Sequence, residues 1–161
     1  MLCLILQILL LIQKDRGYLF LQSDEKMVMI TTDNFNRLFF SDPNVHIYNS
    51  AIGDQVGSSK LRISASDDSS SLLPISDNQI KHFPGTHEVS TINVNVAPID
   101  TFLNPEDISS PSLLKVDVQG FEMQVLIGCS TLFTKFDYIY CECSYIELYT
   151  GQTLAHDVVN Y

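Results

Sequence analysis

Basic residues are scarce. Nine Lys and Arg stand against nineteen Asp and Glu in 161 residues, a formal net charge of −10. A protein that grips nucleic acid through its phosphates needs clustered cations, and none is visible, so nucleic acid is excluded as a partner. Anionic membrane surfaces are disfavoured for the same reason. Long apolar runs are missing too: "MLCLILQILLLI", residues 1–12, falls short of the roughly 20 residues that span a bilayer. No N-x-S/T sequon occurs, so nothing supports a glycosylated secreted product. G-x-G-x-x-G, G-x-x-x-x-G-K-[ST] and G-x-S-x-G are all absent, which leaves no basis for a phosphate loop or a hydrolase triad. The cysteines, Cys3, Cys129, Cys141 and Cys143, supply no second close pair, and the histidines are scattered, so no metal site is expected. These thiols read as buried and reduced, with Cys141 and Cys143 on one face of a strand.

Apolar residues make up 45% of the chain and charged residues 17%, which fits one globular domain with a real core. The apolar N-terminus closes on "QKDRGY", a charged helix end with a glycine. Residues 1–17 therefore read as an apolar helix, buried in a core. A membrane anchor or signal, and chance translation of upstream sequence, stand as alternatives. Basic n-region and small-residue cleavage site are both lacking for a signal. Residues 18–161 form the domain proper, and a cytoplasmic location is favoured. Within it, "YLFLQSDE" (18–25) and "KMVMITTD" (26–33) read as strands, and "DNFNRLFF" (33–40) as a short amphipathic helix capped by Asp33. Residues 45–64 read as two strands around a tight "GDQVG" turn. The Ser- and Asp-rich stretch from 64 into "SDNQIKHFPGTH" reads as a long exposed loop of the functional or mobile kind. Residues 87–103, with alternating Val89, Ile92, Val94 and Val96, read as an exposed or edge strand followed by a connection with a helical turn.

The right half has a stronger grammar. "SLLKVDV" is nearly continuous in apolar character, as a strand buried on both faces is. Phe121, Val125, Cys129 and Leu132 then share one helical face, with Met123 and Leu126 alongside. "FDYIYCEC" reads as a second core strand and "TLAHDVVNY" as another amphipathic helix. Strand, helix, strand, helix, with each strand ending on a carboxylate, is the mark of a parallel α/β sheet. Ligands of such sheets bind beyond the strands' carboxyl ends. Asp117 and Glu142 occupy two such ends, and Glu122 lies in the first helical turn after Asp117. Gly120 allows a tight turn or a close ligand approach. Each has a plainer alternative: helix capping for Asp117, dipole pairing for Glu122, a solvated strand end for Glu142, and an ordinary strand-to-helix turn for Gly120.

"LLKVDVQGFEMQVLIG" resembles the signature of FkbM-type, S-adenosylmethionine-dependent methyltransferases, filled here by Leu114, Lys115, Asp117, Gln119, Gly120, Phe121, Glu122, Leu126 and Gly128. Other segments agree in order: "NFNRL", "YNSAIGDQVGSSKLRIS", "INVNVAPIDTFL" and "FDYIYCECSYIELYTGQ". The likeness covers about residues 33–152. It implies a Rossmann-like class I methyltransferase sheet, mostly parallel, and methyl transfer from S-adenosyl-L-methionine to an oxygen of a small molecule or glycan. On this likeness Asp117 and Glu142 act at the transferred methyl. Asp24 or Glu25 would hold the cofactor ribose, Asp54 with Ala51 and Ile52 would lie near the adenine, and Gly120 and Glu122 would complete the cofactor site. The family's "D-V-G-A-N-x-G" loop has no counterpart in the sequence, and no Pro follows Glu25. The domain is therefore expected to be partial at both ends and to bind cofactor weakly. The alternative is an inactive Rossmann-like remnant that serves only as an interaction module.

Overall fold

The computed structural model describes residues 17–22, 48, 50–66 and 68–161, residues 17–22 by their backbone alone. The chain is an α/β protein. The apolar helix expected at 1–17, apart from Gly17, lies outside the described residues, as do the strand expected at 26–33 and the helix at 33–40.

The described strands form two three-stranded sheets. The first is wholly parallel. Strand β1 (Gly17–Gln22) and strand β6 (Tyr138–Cys141) flank a central β5 (Ser112–Asp117). Gln22 pairs with Asp117 at the carboxyl end of this sheet. The second sheet is mixed. Its middle strand β4 (Glu88–Ala97) takes the two-residue β2 (Ala51–Ile52) in parallel and β3 (Gly57–Ser64) in antiparallel.

This pairing corrects one expectation. Residues 45–64 do not form a hairpin, because β2 and β3 each bond to β4 and not to one another. Strand β4 pairs with β3 along its length but with β2 only at Val96 and Ala97, so from Glu88 to Asn95 it has one described neighbour and its side chains are largely exposed, in keeping with the reading as an exposed or edge strand. The stretch after β3 is also different from an exposed loop. It carries helix α1 (Asp77–His82), and Ser69, Ser70 and Ser71 are buried, with Ser70 Oγ accepting the Ser64 N–H of β3 and Ser71 Oγ donating to the Gln119 carbonyl in the turn after β5. A serine run can be buried because each short hydroxyl finds a partner close by, Ser69 on the Asp68 carboxylate and the other two on backbone.

Helix α2 (Glu122–Cys129) follows β5 and continues as a 3₁₀ helix over Ser130–Lys135. The expected face is the buried one: Val125, Cys129 and Leu132 are essentially inaccessible. They meet Leu114 and Val116 of β5 and Ile99, all at 0% exposure. Each such aliphatic side chain stabilises the fold by about 1.5–3 kcal/mol relative to exposure. Helix α2 also ties the two sheets together. Gly128 packs so closely on the carbonyl of Gly53, just past β2, that a methyl group there would overlap it. Strand β6 departs from the reading as a core strand: Tyr138, Ile139 and Tyr140 are 67%, 45% and 56% exposed, and β5 is its one neighbour among the described strands. Helix α3 (Ala155–Asn160) buries Ala155 and Val158.

Candidate functional site

The parallel sheet delivers the ends of β5 and β6 side by side. Asp117 is the last residue of β5, and Glu142 follows β6, its N–H donating to the Val116 carbonyl at 2.9 Å. Both carboxyls line one cavity of about 550 Å³.

What fixes Asp117 is local. Lys115 is two residues back on the same face of the strand, and its Nζ lies 2.8 Å from Asp117 Oδ2. Gln119 Nε2 donates to the other carboxyl oxygen at 3.0 Å. Gln119 itself sits in the left-handed region, at φ 54, and Gly120 follows at φ 97. A non-glycine residue there costs on the order of 1 kcal/mol and persists only where its surroundings hold it.

Three groups hold this turn. Ser71 Oγ donates to the Gln119 carbonyl at 2.6 Å. Glu122 Oε1 accepts the N–H groups of Gly120 at 3.0 Å and Val118 at 3.4 Å. Tyr149 roofs Gly120, where an added Cβ would lie 2.9 Å from the tyrosine Cβ. The Tyr149 hydroxyl lies 3.0 Å from Gln119 Oε1 and 3.1 Å from the Ser69 carbonyl, and its one proton serves either. Gln119 therefore bridges Tyr149 and Asp117, and the chain's one left-handed non-glycine among the described residues is the one that orients the strand-end carboxylate.

Electrostatics separate the acids. Burial raises the Glu142 pKa, the Asp117 charge raises it further, Lys115 opposes, and a hydrogen bond with Asp117 favours the protonated form. Two neighbouring carboxyls resist joint ionisation, and the Glu142 carboxyl is held above its ordinary range. Glu122 is 3% exposed, and burial lifts its carboxyl above the usual range against the pull of the backbone amides of Gly120, Glu122 and Val118. The thiols of Cys141 and Cys143 lie 3.6 Å apart, half-buried rather than fully buried, and burial raises both. That keeps them protonated and poor nucleophiles. Cys129 is buried and pushed up to about 12. Among the described residues no group of three or more His, Cys, Asp or Glu side chains could hold a metal ion.

The other candidates fall in different places. Glu122 and Gly120 lie beneath the cavity wall, in the turn that carries Gln119. Ala51 and Ile52 are buried in the core, and Asp54 is exposed past the end of β2. Asp24 and Glu25 lie outside the described residues, beginning two positions beyond Gln22. Sequence reasoning passed over Asp68, Gln79, His82 and Thr86, which line the same cavity, and Tyr149, which roofs Gly120. The signal for Tyr149 was its place in "L-Y-x-G". The four lining residues had no signal beyond the polarity of their segment.

A family model described as the Methyltransferase FkbM domain matches residues 22–161. No curated protein and no solved structure matches the chain. No helix among the described residues is long and apolar enough to cross a membrane.

Proposed function

The chain belongs to the FkbM methyltransferase family, and from that premise we propose that it moves a methyl group from S-adenosylmethionine to an oxygen of a small molecule or glycan. One observation carries the reading: the carboxyls of Asp117 and Glu142 meet in one cavity at the carboxyl ends of two adjacent parallel strands. The lining supports a positively charged cofactor: among the described residues it holds Asp68, Asp117 and Glu142 and no Lys or Arg, with the Lys115 ammonium engaged by Asp117.

When bound, S-adenosylmethionine supplies an electrophilic methyl on a sulfonium. The chain's own residues supply position and a proton path. Asp117, clamped by Lys115 and Gln119, orients the acceptor hydroxyl. The Asp117–Glu142 pair takes the proton that hydroxyl loses. Glu122 acts through the turn, holding Gly120 and Val118 so that Gln119 stays on Asp117. Asp54, with Ala51 and Ile52 behind it, is assigned to the adenine side, and Asp24 or Glu25 to the ribose.

Isothermal titration with S-adenosylmethionine tests this. The expected result is saturable binding weaker than micromolar, abolished in Asp117→Ala and weakened in Asp117→Asn. Absence of binding to the wild-type chain removes the cofactor reading. A second reading, an interaction module without activity, has one observation in its favour, the exposed aromatic strand β6. It requires Asp117→Asn to leave every property of the chain unchanged.

A further inference from the structure

Cys141 and Cys143 flank Glu142, the cavity carboxyl that follows β6. In a straight strand two such side chains share a face but stand roughly 6–7 Å apart, two residues of rise. Here their sulfurs lie 3.6 Å apart, and the Cys143 sulfur is 3.8 Å from the Cys141 carbonyl. The chain curls back as it leaves β6 and brings two thiols into contact.

The curl is held from both sides. The Glu142 N–H donates to the Val116 carbonyl at 2.9 Å, and the Ala155 N–H of α3 donates to the Ser144 carbonyl at 2.9 Å. Glu142 and Ser144 both line the cavity, so the thiols belong to a turn of its wall.

The pair differs from Cys129, which is 0% exposed in the core and closed to any reagent. Cys141 and Cys143 are each partly exposed. Among the described residues no third His, Cys, Asp or Glu joins them to hold a metal ion. Burial keeps both thiols protonated, which slows attack on a disulfide without barring it. At Cys143 the hydrogen bond with Cys141 opposes the effect of burial, so Cys143 is the first to react.

We infer that Cys141 and Cys143 form a reversible disulfide by exchange with a small disulfide such as oxidised glutathione. The Cys143 thiolate attacks one sulfur of that disulfide, its S–S bond breaks, and one thiol leaves with the Cys143 proton. Cys141 then attacks the Cys143 sulfur of the mixed disulfide, and the second thiol leaves with the Cys141 proton. Two protein thiols are oxidised, and one small disulfide is reduced to two thiols. Contact between the sulfurs makes the second step unimolecular and fast. The ring that forms spans Glu142 alone, which puts a covalent link across a residue of the cavity wall. None of this depends on methyl transfer.

The test incubates the full folded chain with millimolar oxidised glutathione for roughly hours. Acid quench, alkylation in denaturant and mass spectrometry of tryptic peptides follow. Residues 136–161 contain no Lys or Arg, so both thiols fall in one peptide, with Cys3 and Cys129 in others. That peptide is expected to lose two hydrogens, escape alkylation and regain both thiols with dithiothreitol, while Cys129 stays free. Cys141→Ser, checked for folding by circular dichroism, is expected to stop at a glutathione adduct on Cys143. In the wild-type chain that adduct should live at least about ten-fold less long than in the same chain unfolded by urea. Thiols that stay free in the wild type, a persistent glutathione adduct, a cross-link to another peptide, or an unreacted Cys143 in folded Cys141→Ser overturns the inference. So does ring closure no faster in the folded chain than in urea, which would assign the bond to sequence spacing alone.

Discussion

Glu122 looks at residue scale like a cofactor ligand and behaves like a brace. It is 3% exposed, and its Oε1 accepts two backbone N–H groups of the turn that carries Gln119. Glu122→Ala leaves both donors buried and unpaired, so a loss of about 1–3 kcal/mol in unfolding free energy is expected. Glu122→Gln keeps an oxygen for them and sheds the buried charge, so it is expected to be as stable as wild type or more so at neutral pH. The pH dependence follows from the direction of the shift. Burial raises the folded pKa above the unfolded one, so between the two values the folded state holds more protons. The contribution of Glu122 therefore grows as pH falls through the folded pKa toward the unfolded one, and is smallest above both. Urea unfolding of wild type and Glu122→Gln across that interval measures it: the gap between them should narrow as pH falls. A gap that widens would mean that the carboxylate is not penalised by burial. The sequence placed Glu122 correctly in the first turn of a helix. It could not show that the side chain turns back on its own loop, because that depends on the φ of 54 at Gln119, a residue type that gives no notice of left-handed geometry.

Helix α2 shows what an element's pattern reveals and what it conceals. Its buried face was readable from Val125, Cys129 and Leu132, because the helical period forces them together. The strand before it was readable from an apolar run ending in acid. The place of Gly128 in the motif was readable as well, but not its reason, since its partner is Gly53, far away in sequence. Pairing failed for a related cause. Residues 45–64 carry a turn signal that suits a hairpin, yet both strands satisfy their backbone on β4, and no local signal ranks one pairing over another. Gly128→Ala puts these ideas under test. Ala gains about 1 kcal/mol over Gly in a helix interior. Here its Cβ would overlap the Gly53 carbonyl, a backbone group that cannot rotate away, and overpacking of this kind costs roughly 1–3 kcal/mol or more. The clash should win, and Gly128→Ala is expected to lower the denaturation midpoint. Gly57→Ala on β3, where nothing lies within 4 Å of the added carbon, is the control and should leave the midpoint nearly unchanged. A Gly128→Ala protein more stable than wild type would show that α2 does not press on the turn after β2.

For the molecule as a whole, two features oppose each other. A net charge of −10 keeps copies apart, while β6 exposes Tyr138, Ile139 and Tyr140 on a strand with one described neighbour. Unpaired backbone beside apolar side chains is a template for pairing with another strand, and edge strands are ordinarily guarded by a charge, often Lys. Repulsion between copies is long-ranged in dilute buffer and is screened to about 8 Å at roughly 0.15 M salt. Association should therefore be weak at low salt and increase as salt is added, if β6 is the adhesive surface. Ile139→Lys separates the two effects. It places a guard on the strand but makes the net charge less negative, so a mechanism governed by net charge predicts more association. One governed by the strand predicts less. Sedimentation velocity at low and moderate salt is expected to show salt-promoted association of the wild-type chain and its suppression in Ile139→Lys. Increased association of the variant would assign the behaviour to overall charge and leave β6 without a role.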